Sequence, residues 1–243
     1  MRRIPARVLV GILVGLLLVG AGALALVGRS HGADISPRAE AERPQLMLLT
    51  TLPLVFPEEF SLQGGGSQAL SAVETRYRVV PIGTTDAATL RQGRLLLMAH
   101  PLAQPPEALV DLDGWVRGGG RLLLLADPRL EWPSKLPLGD KLRPPPSFAD
   151  TGLLAHWGLR LDAPDQSGPA EREVDGRNVL AASPGILSGS CKIGEHGFVA
   201  RCRVGKGRAT IVADADFLNV ERLGDPAADN LDALLAELAR LER

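Results

Sequence analysis

A small set of polar residues directly follows three aliphatic runs of this sequence, and one more lies near the start of its last predicted helix. Such runs are typical of buried parallel strands, and in open α/β sheets ligands bind beyond the carboxyl ends of the strands. Carboxylates at such an edge can bind a cation or a polyol, or act as the acid and base of a hydrolase. The candidate ligand-binding residues are His100, Asp127, Asp214, Asp216, Asn219 and Asn230.

These candidates also have a structural interpretation, which we favour. Asp and Asn side chains accept hydrogen bonds from nearby backbone N–H groups and so stabilise turns and helix starts, as the pair Asp127-Pro128 typically does. The four histidines show no metal-ligand spacing, and no serine lies in a Gly-x-Ser-x-Gly turn. We therefore predict no catalytic residue, no metal site and no cofactor.

The elements that would position this set alternate between strand-like and helix-like patterns. We expect buried strands within residues 45–55, 77–82, 94–99, 121–126 and 208–213, and helices at 68–75, 85–91, 105–117 and 226–241. This order predicts an α/β fold, a flavodoxin-like or Rossmann-like, mostly parallel sheet with helices on both faces. Residues 127–147 are proline-rich, carry Trp132 and predict a long surface loop, and residues 163–190 are expected to be irregular apart from a short strand near 172–174.

The two cysteines predict a C-terminal β-hairpin closed by a disulfide. A turn at His196-Gly197 would place Cys191 opposite Cys202, with the apolar residues between them on one face. Residues directly opposite in an antiparallel pair are close enough for a disulfide. Two buried free thiols are the alternative.

The first 27 residues predict a membrane anchor. Val8 to Val27 is an apolar run without charge, long enough to cross a bilayer as a helix. Three arginines precede it and only Arg29 follows closely, which favours a cytoplasmic N-terminus. A cleaved signal peptide is the alternative, although the run is longer than is usual for one. Gly11 and Gly15 form a Gly-x-x-x-Gly pair, for which we favour no dimerisation role.

The resulting organisation has four parts and a defined location. Residues 1–7 are cytoplasmic, 8–27 form the transmembrane helix, 28–44 are a linker, and 45–243 form an extracytoplasmic α/β domain. The protein is expected in the inner membrane as a single-pass protein with its C-terminal domain in the periplasm. The net charge of −1 gives no indication of a nucleic-acid partner.

Two segments of this domain resemble the GldG-like family, the extracytoplasmic auxiliary domains of gliding-type ABC transport systems. The first segment, 105–128, joins a helix, Gly118-Gly119-Gly120 and an aliphatic strand that ends in Asp127-Pro128. The second, 205–231, holds Gly-Lys-Gly-Arg, then Ile-Val-Ala-Asp-Ala-Asp-Phe-Leu-Asn, then Asp-Asn-Leu. The resemblance implies a fold similar to class I glutamine amidotransferases, whose Gly-x-Cys-x-Gly nucleophile turn this chain lacks. It also implies ABC-type permease and ATPase subunits as partners.

These observations lead to one main functional hypothesis and two alternatives. The main hypothesis is a membrane-anchored, non-enzymatic accessory or ligand-binding domain associated with an ABC-type transport system. The first alternative is a periplasmic hydrolase that acts on glycans with two of the candidate carboxylates. The second is a structural envelope protein.

Overall fold

The computed structural model describes residues 33–56, 58 and 66–243. The apolar run 8–27, the preceding residues 1–7 and the Gly11 and Gly15 pair lie outside these described residues. Among the helices of the described part, none combines the length and the apolar composition needed to cross a membrane.

The centre of the domain is a seven-stranded, mostly parallel sheet. Its strand order is β2-β1-β3-β4-β11-β10-β9; the first five strands run parallel to one another, and β10 is antiparallel to both of its neighbours. These strands are β1 (Gln45–Thr50), β2 (Arg78–Pro81), β3 (Leu95–Ala99), β4 (Arg121–Leu125), β9 (Lys192–Ile193), β10 (Val199–Val204) and β11 (Gly207–Val212). The remaining strands form two small antiparallel sheets, β5 (Leu159–Asp162) with β8 (Ile186–Gly189) and β6 (Ala170–Val174) with β7 (Arg177–Ala181).

The helices pack as pairs around this sheet. They are α1 (Gln68–Glu74), α2 (Ala87–Leu90), α3 (Pro106–Arg117), α4 (Leu153–His156), α5 (Val220–Leu223) and α6 (Asn230–Glu242). Helix α1 contacts α6, α2 contacts α3, and both α3 and α6 pack against β11. The predicted α/β class with a mostly parallel sheet is therefore confirmed.

Aliphatic side chains of the central strands form the core. All five residues of β3 are buried, as are the last four of β4 and the four middle residues of β1. Strands buried in this way read as continuous apolar runs rather than as alternating patterns. For this reason the sequence placed these three strands correctly.

The segment 33–44, which the composition predicted as part of a linker, lies against the domain. Arg38 forms an ion pair with Glu242 at 2.8 Å, and its backbone N–H donates to Thr75. Arg76 donates to the Ser36 carbonyl oxygen from a fully buried position. Residues 33–243 together form one compact unit, so the domain begins earlier than position 45.

Two local predictions need correction. Residues 163–190 hold three strands, β6, β7 and β8, where we expected one short strand. The last helix begins at Asn230 rather than at 226, because a separate 3₁₀ turn, Asp225–Ala227, precedes it. In both places contacts with the rest of the domain decide the structure: β7, for example, packs against α6.

The hairpin prediction is confirmed. His196 and Gly197 both have positive φ, 54° and 69°, as a two-residue hairpin turn requires. Ile193 pairs with Ala200 in the expected register. Cys191 and Cys202 form the disulfide, with their Cα atoms 4.9 Å apart.

Candidate functional site

His100 directly follows β3 and fixes part of the proline-rich loop 127–147. Its φ of 47° lies in the left-handed region, which a non-glycine residue adopts only when its surroundings hold it there. The buried ring donates from Nε2 to the Pro145 carbonyl oxygen at 2.8 Å, and its Nδ1 has no hydrogen-bond partner in the described structure. Burial lowers the pKa of His100, so the ring is neutral at pH 7.

Asp127 follows β4 and connects the start of the loop to the turn after β11. Its Oδ1 accepts from the Arg129 N–H at 2.8 Å, and its Oδ2 accepts from the Ala215 N–H at the same distance. A longer bond of 3.4 Å comes from the Asp216 N–H to Oδ2. The carboxylate is completely buried, and both of its oxygens accept hydrogen bonds from backbone N–H groups.

Asp214 and Asp216 fix two further segments. Asp214 accepts from the Phe217 N–H at 2.7 Å and from the Ser183 N–H at 3.2 Å, which joins the turn after β11 to the segment after β7. Asp216 Oδ2 accepts from the Glu131 N–H in the loop at 2.6 Å. Its other oxygen, Oδ1, is buried and has no hydrogen-bond partner among the described residues.

The two asparagines have separate structural positions. Asn219 is the N-cap of α5 and accepts from the Arg222 N–H at 3.3 Å. Asn230 is completely buried at the start of α6. Its amide pairs with both backbone groups of Leu180 at 2.9 Å and also donates to the Phe217 carbonyl oxygen at 2.7 Å.

The structure therefore brings four of the six candidates into one buried cluster, which we call the anchor cluster: His100, Asp127, Asp214 and Asp216. Each member is at most 1% exposed. Each side chain holds a loop through backbone hydrogen bonds, as the structural interpretation of the sequence expects. A ligand role for the six candidates stays a prediction, and this cluster offers no open surface for it.

Burial also sets the charge state of the anchor cluster. It raises the pKa of Asp127, and it raises the pKa of Asp216 to about 7. For Asp214, burial together with the charges of Asp127 and Asp216 raises the pKa well above its ordinary range. Raised carboxyl pKa values mean that the folded domain binds these protons more tightly than the unfolded chain does.

Asp216→Asn should stabilise the domain at pH 8 and should do so less at pH 5. With a folded pKa of about 7 against an ordinary 3.8, the stabilisation by protonated Asp216 declines as pH rises from about 4 and is gone above about 7. Asparagine keeps an acceptor for the Glu131 N–H without the buried charge. We expect the melting temperature at pH 8 to rise by about 4–8 °C, for a gain of about 2 kcal/mol.

Melting curves of the wild type and D216N from pH 5 to pH 8 test this expectation. The lowered pKa of His100 makes the domain more stable as pH rises, but this contribution is the same in both proteins. The difference between their melting temperatures therefore reports on Asp216 alone. A melting temperature difference that stays constant across this range would contradict the assignment.

An open groove lies beside the anchor cluster, and the sequence did not indicate it. It has a volume of about 390 Å³ and lies beyond the carboxyl ends of β1 and β2. Thr50 and Thr51 form part of its floor, and their hydroxyl groups donate to the Ala99 and His100 carbonyl oxygens at the end of β3. In this strand order the chain reverses its winding between β1 and β3, where open α/β sheets bind ligands.

The rim of the groove is apolar and exposed. Phe56 is 79% exposed, Leu102 54% and Leu142 78%, and all three line the groove. Leu142 belongs to the proline-rich loop, which the anchor cluster holds in position. The one signal in the sequence was the group of leucines inside an otherwise polar loop, but the strand order was needed to place them.

Comparisons with known proteins are limited to overall structure. No protein-family model matches the chain, and no curated protein matches it either. An exo-beta-1,4-mannosidase from an Opitutaceae bacterium is similar in structure, at 14% identity and a TM-score of 0.49; the match covers 82% of this chain and 36% of that one. A cytoplasmic protein from Salmonella typhimurium matches at 10% identity and 0.48, covering 81% of this chain and 98% of that one.

A ThuA-like protein from Bacteroides uniformis also matches, at 11% identity and a TM-score of 0.42, covering 82% of this chain and 93% of that one. This chain spans about a third of the mannosidase. We take no activity, substrate or partner from these similarities.

Proposed function

We propose that this protein is a non-enzymatic, membrane-anchored accessory domain that binds a partner protein of an ABC-type transport system through the groove at β1 and β2. The observation that carries the proposal is the exposed apolar rim formed by Phe56, Leu102 and Leu142. Apolar side chains grouped around a groove are typical of protein contact sites. The occupant we propose is an apolar segment of the permease.

Several features support a binding role over catalysis. The groove is lined by aliphatic side chains, prolines and Phe56, by two threonines whose hydroxyls are already hydrogen-bonded, and by Glu58 and Lys141. The candidate carboxylates are buried and hold backbone segments, which leaves them poorly placed for acid–base chemistry on a glycan. The ABC-type permease and ATPase as partners come from the resemblance of 105–128 and 205–231 to the GldG-like family.

The finer fold and the location belong to the same proposal. We propose a flavodoxin-like arrangement, for which the strand order β2-β1-β3-β4-β11 is the support. We propose that residues 8–27 cross the inner membrane, with the N-terminus inside and the domain in the periplasm. The disulfide between Cys191 and Cys202 supports an oxidising compartment.

Co-purification tests the partner and the groove together. The full-length protein, drawn from gently solubilised membranes, should bring permease and ATPase subunits in stoichiometric amounts, identified by mass spectrometry. Leu102→Glu and Leu142→Glu should each reduce the recovered partner about tenfold or more, because burying a leucine side chain contributes about 1.5–3 kcal/mol. Both positions are exposed, so folding should be unaffected.

Leu138→Glu is the matched control. Leu138 is 83% exposed in the same loop but does not line the groove. Its variant should recover the partner as the wild type does. Equal loss in all three variants, or no loss in any, would contradict a contact at the groove, and recovery of the protein alone would contradict the transport association.

A further inference from the structure

Three arginines lie in register on three adjacent strands, at the end of the sheet opposite the groove. Arg203 in β10 pairs directly with Arg208 in β11, and Arg208 pairs with Arg121 in β4. Directly paired residues on neighbouring strands point to the same side of the sheet. We call these three residues the arginine row; it spans about 10 Å, two strand spacings.

The arginine row is not neutralised inside the domain. In the described part of the chain, none of its three members forms an ion pair with an acidic side chain. Arg121 donates to the Leu241 carbonyl oxygen at the end of α6, which accounts for its own position. Among the described residues, the side chains of Arg203 and Arg208 have no hydrogen-bond acceptor. Like charges directly opposite each other destabilise a sheet, so an external anion would relieve this repulsion.

Further cations lie at the same end of the sheet. Among the described residues, a cleft of about 490 Å³ is lined by Arg203, Lys192, Arg201 and Arg117 and by no acidic residue. Arg117 is already paired with Asp113 at 2.6 Å, so it contributes little free charge. Arg201 is held by Glu237 through its Nε at 3.1 Å, which fixes its guanidinium in place. Lys192 lies directly opposite Arg201 and has no acidic partner in the described residues.

The part of the chain that leads to this end of the sheet indicates the source of the anion. Pro44, which leads directly into β1, lines a second cleft together with Arg94, Arg121 and Glu242, and the Glu242 carboxylate is paired with Arg38. The described chain begins at Ala33, six positions after Val27, the last residue of the apolar run, and Ala33 packs against α6, the helix whose Leu241 carbonyl oxygen accepts from Arg121. A basic surface close in sequence to a membrane anchor matches the negative charge of phospholipid headgroups.

We propose that the arginine row and the adjoining cleft bind the phosphate groups of anionic lipid headgroups. The choice of a lipid as the ligand rests on the membrane anchoring in the proposed function. The arrangement of the arginines is independent of that proposal. Three arginines in a line fit several phosphates on a surface better than one small anion. Arginine also matches phosphate oxygens with paired N–H donors.

Calorimetric titration of the full chain in neutral detergent tests this proposal. The probes are short-chain phosphatidylglycerol, short-chain phosphatidylcholine, inorganic phosphate and pyrophosphate. We expect binding of phosphatidylglycerol that weakens with added salt, and no binding of phosphatidylcholine. Arg203→Glu and Arg208→Glu should each weaken binding by about fivefold or more.

Arg91→Glu is the control, because Arg91 is exposed at the end of α2, lines neither cleft, and has only the nearby charge of Asp86 without an ion pair in the described structure. It should bind phosphatidylglycerol as the wild type does. Equal binding of both lipids, or equal loss in the control, would overturn the proposal. Binding of pyrophosphate but not of phosphatidylglycerol would assign the arginine row to a soluble phosphate and overturn the lipid source.

Folding and partner effects can be separated in this test. Arg208 is partly buried, so a melting curve accompanies each variant; the exposed Arg203→Glu variant carries the result if R208E does not fold. The arginine row and the groove lie at opposite ends of the strands of the sheet. Loss of partner recovery in the groove variants with lipid binding intact, or the reverse, therefore shows which of the two proposals has failed.

Discussion

Asn230→Ala should lower the free energy of unfolding by about 3–5 kcal/mol. The completely buried side chain satisfies the Leu180 N–H, the Leu180 carbonyl and the Phe217 carbonyl; the two bonds to Leu180 are partly buried and the bond to Phe217 is buried. Each buried polar group left without a partner costs about 1–3 kcal/mol. Urea denaturation of the wild type and N230A measures the loss, which is a large share of the stability of a typical domain.

Asn230→Asp is the sharper companion variant. It preserves the shape but places a carboxylate against two carbonyl oxygens, so it should be at least as destabilising at neutral pH and should recover partly at low pH. Asn219→Ala, the loss of one helix cap, serves as the control and should cost about 1 kcal/mol. A cost for N230A no larger than this control would show that water replaces the amide.

Asp127→Asn should destabilise the domain by about 2–3 kcal/mol, opposite in sign to Asp216→Asn at pH 8. Asp127 uses both oxygens to accept backbone hydrogen bonds, from Arg129 and from Ala215. Asparagine retains one acceptor and turns an NH₂ group toward the second N–H, which leaves two donors facing each other. In Asp216 one oxygen has no partner in the described structure, so there the NH₂ group opposes no donor.

Urea denaturation of D127N and D216N at pH 8 gives a direct comparison of the two carboxyls. Both variants remove one ionisable group from the same cluster, so a general effect of charge would move both in the same direction. Opposite signs would establish that the hydrogen bonds of Asp127 contribute more to the free energy of unfolding than the burial of its carboxylate costs. Stabilisation by D127N would contradict the anchoring role of Asp127.

The anchoring of the loop also changes the mutational test of ligand binding. If these carboxylates bound a ligand directly, replacing Asp127 and Asp216 together would be the natural test. In the structure these residues hold the proline-rich loop at Arg129 and Glu131. Loss of binding in that double variant would reflect displacement of the loop, so the exposed groove positions Leu102 and Leu142 are the better probes.

Local patterns in the sequence determined the strands of the parallel sheet, the helix 106–117 and the disulfide hairpin. Each depends on neighbouring residues: a continuous apolar run, Pro and Gly at the two ends of a helix, or a two-residue turn between cysteines. The sequence also placed the candidate polar residues at strand ends, since that position follows from the strands themselves. The strand near 172–174 was predicted and is part of β6, whereas β7 and β8 escaped prediction because their residues show no comparable apolar run.

Tertiary structure alone decided what those residues contact. Asn230 pairs with Leu180, 50 positions away, and Arg203, Arg208 and Arg121 align only because β10, β11 and β4 are neighbours. The groove likewise exists because β1 and β2 end beside the proline-rich loop. Periodicity reports which face of an element is buried, but strand order and register depend on the packing of all elements together, and these long-range contacts follow from that packing.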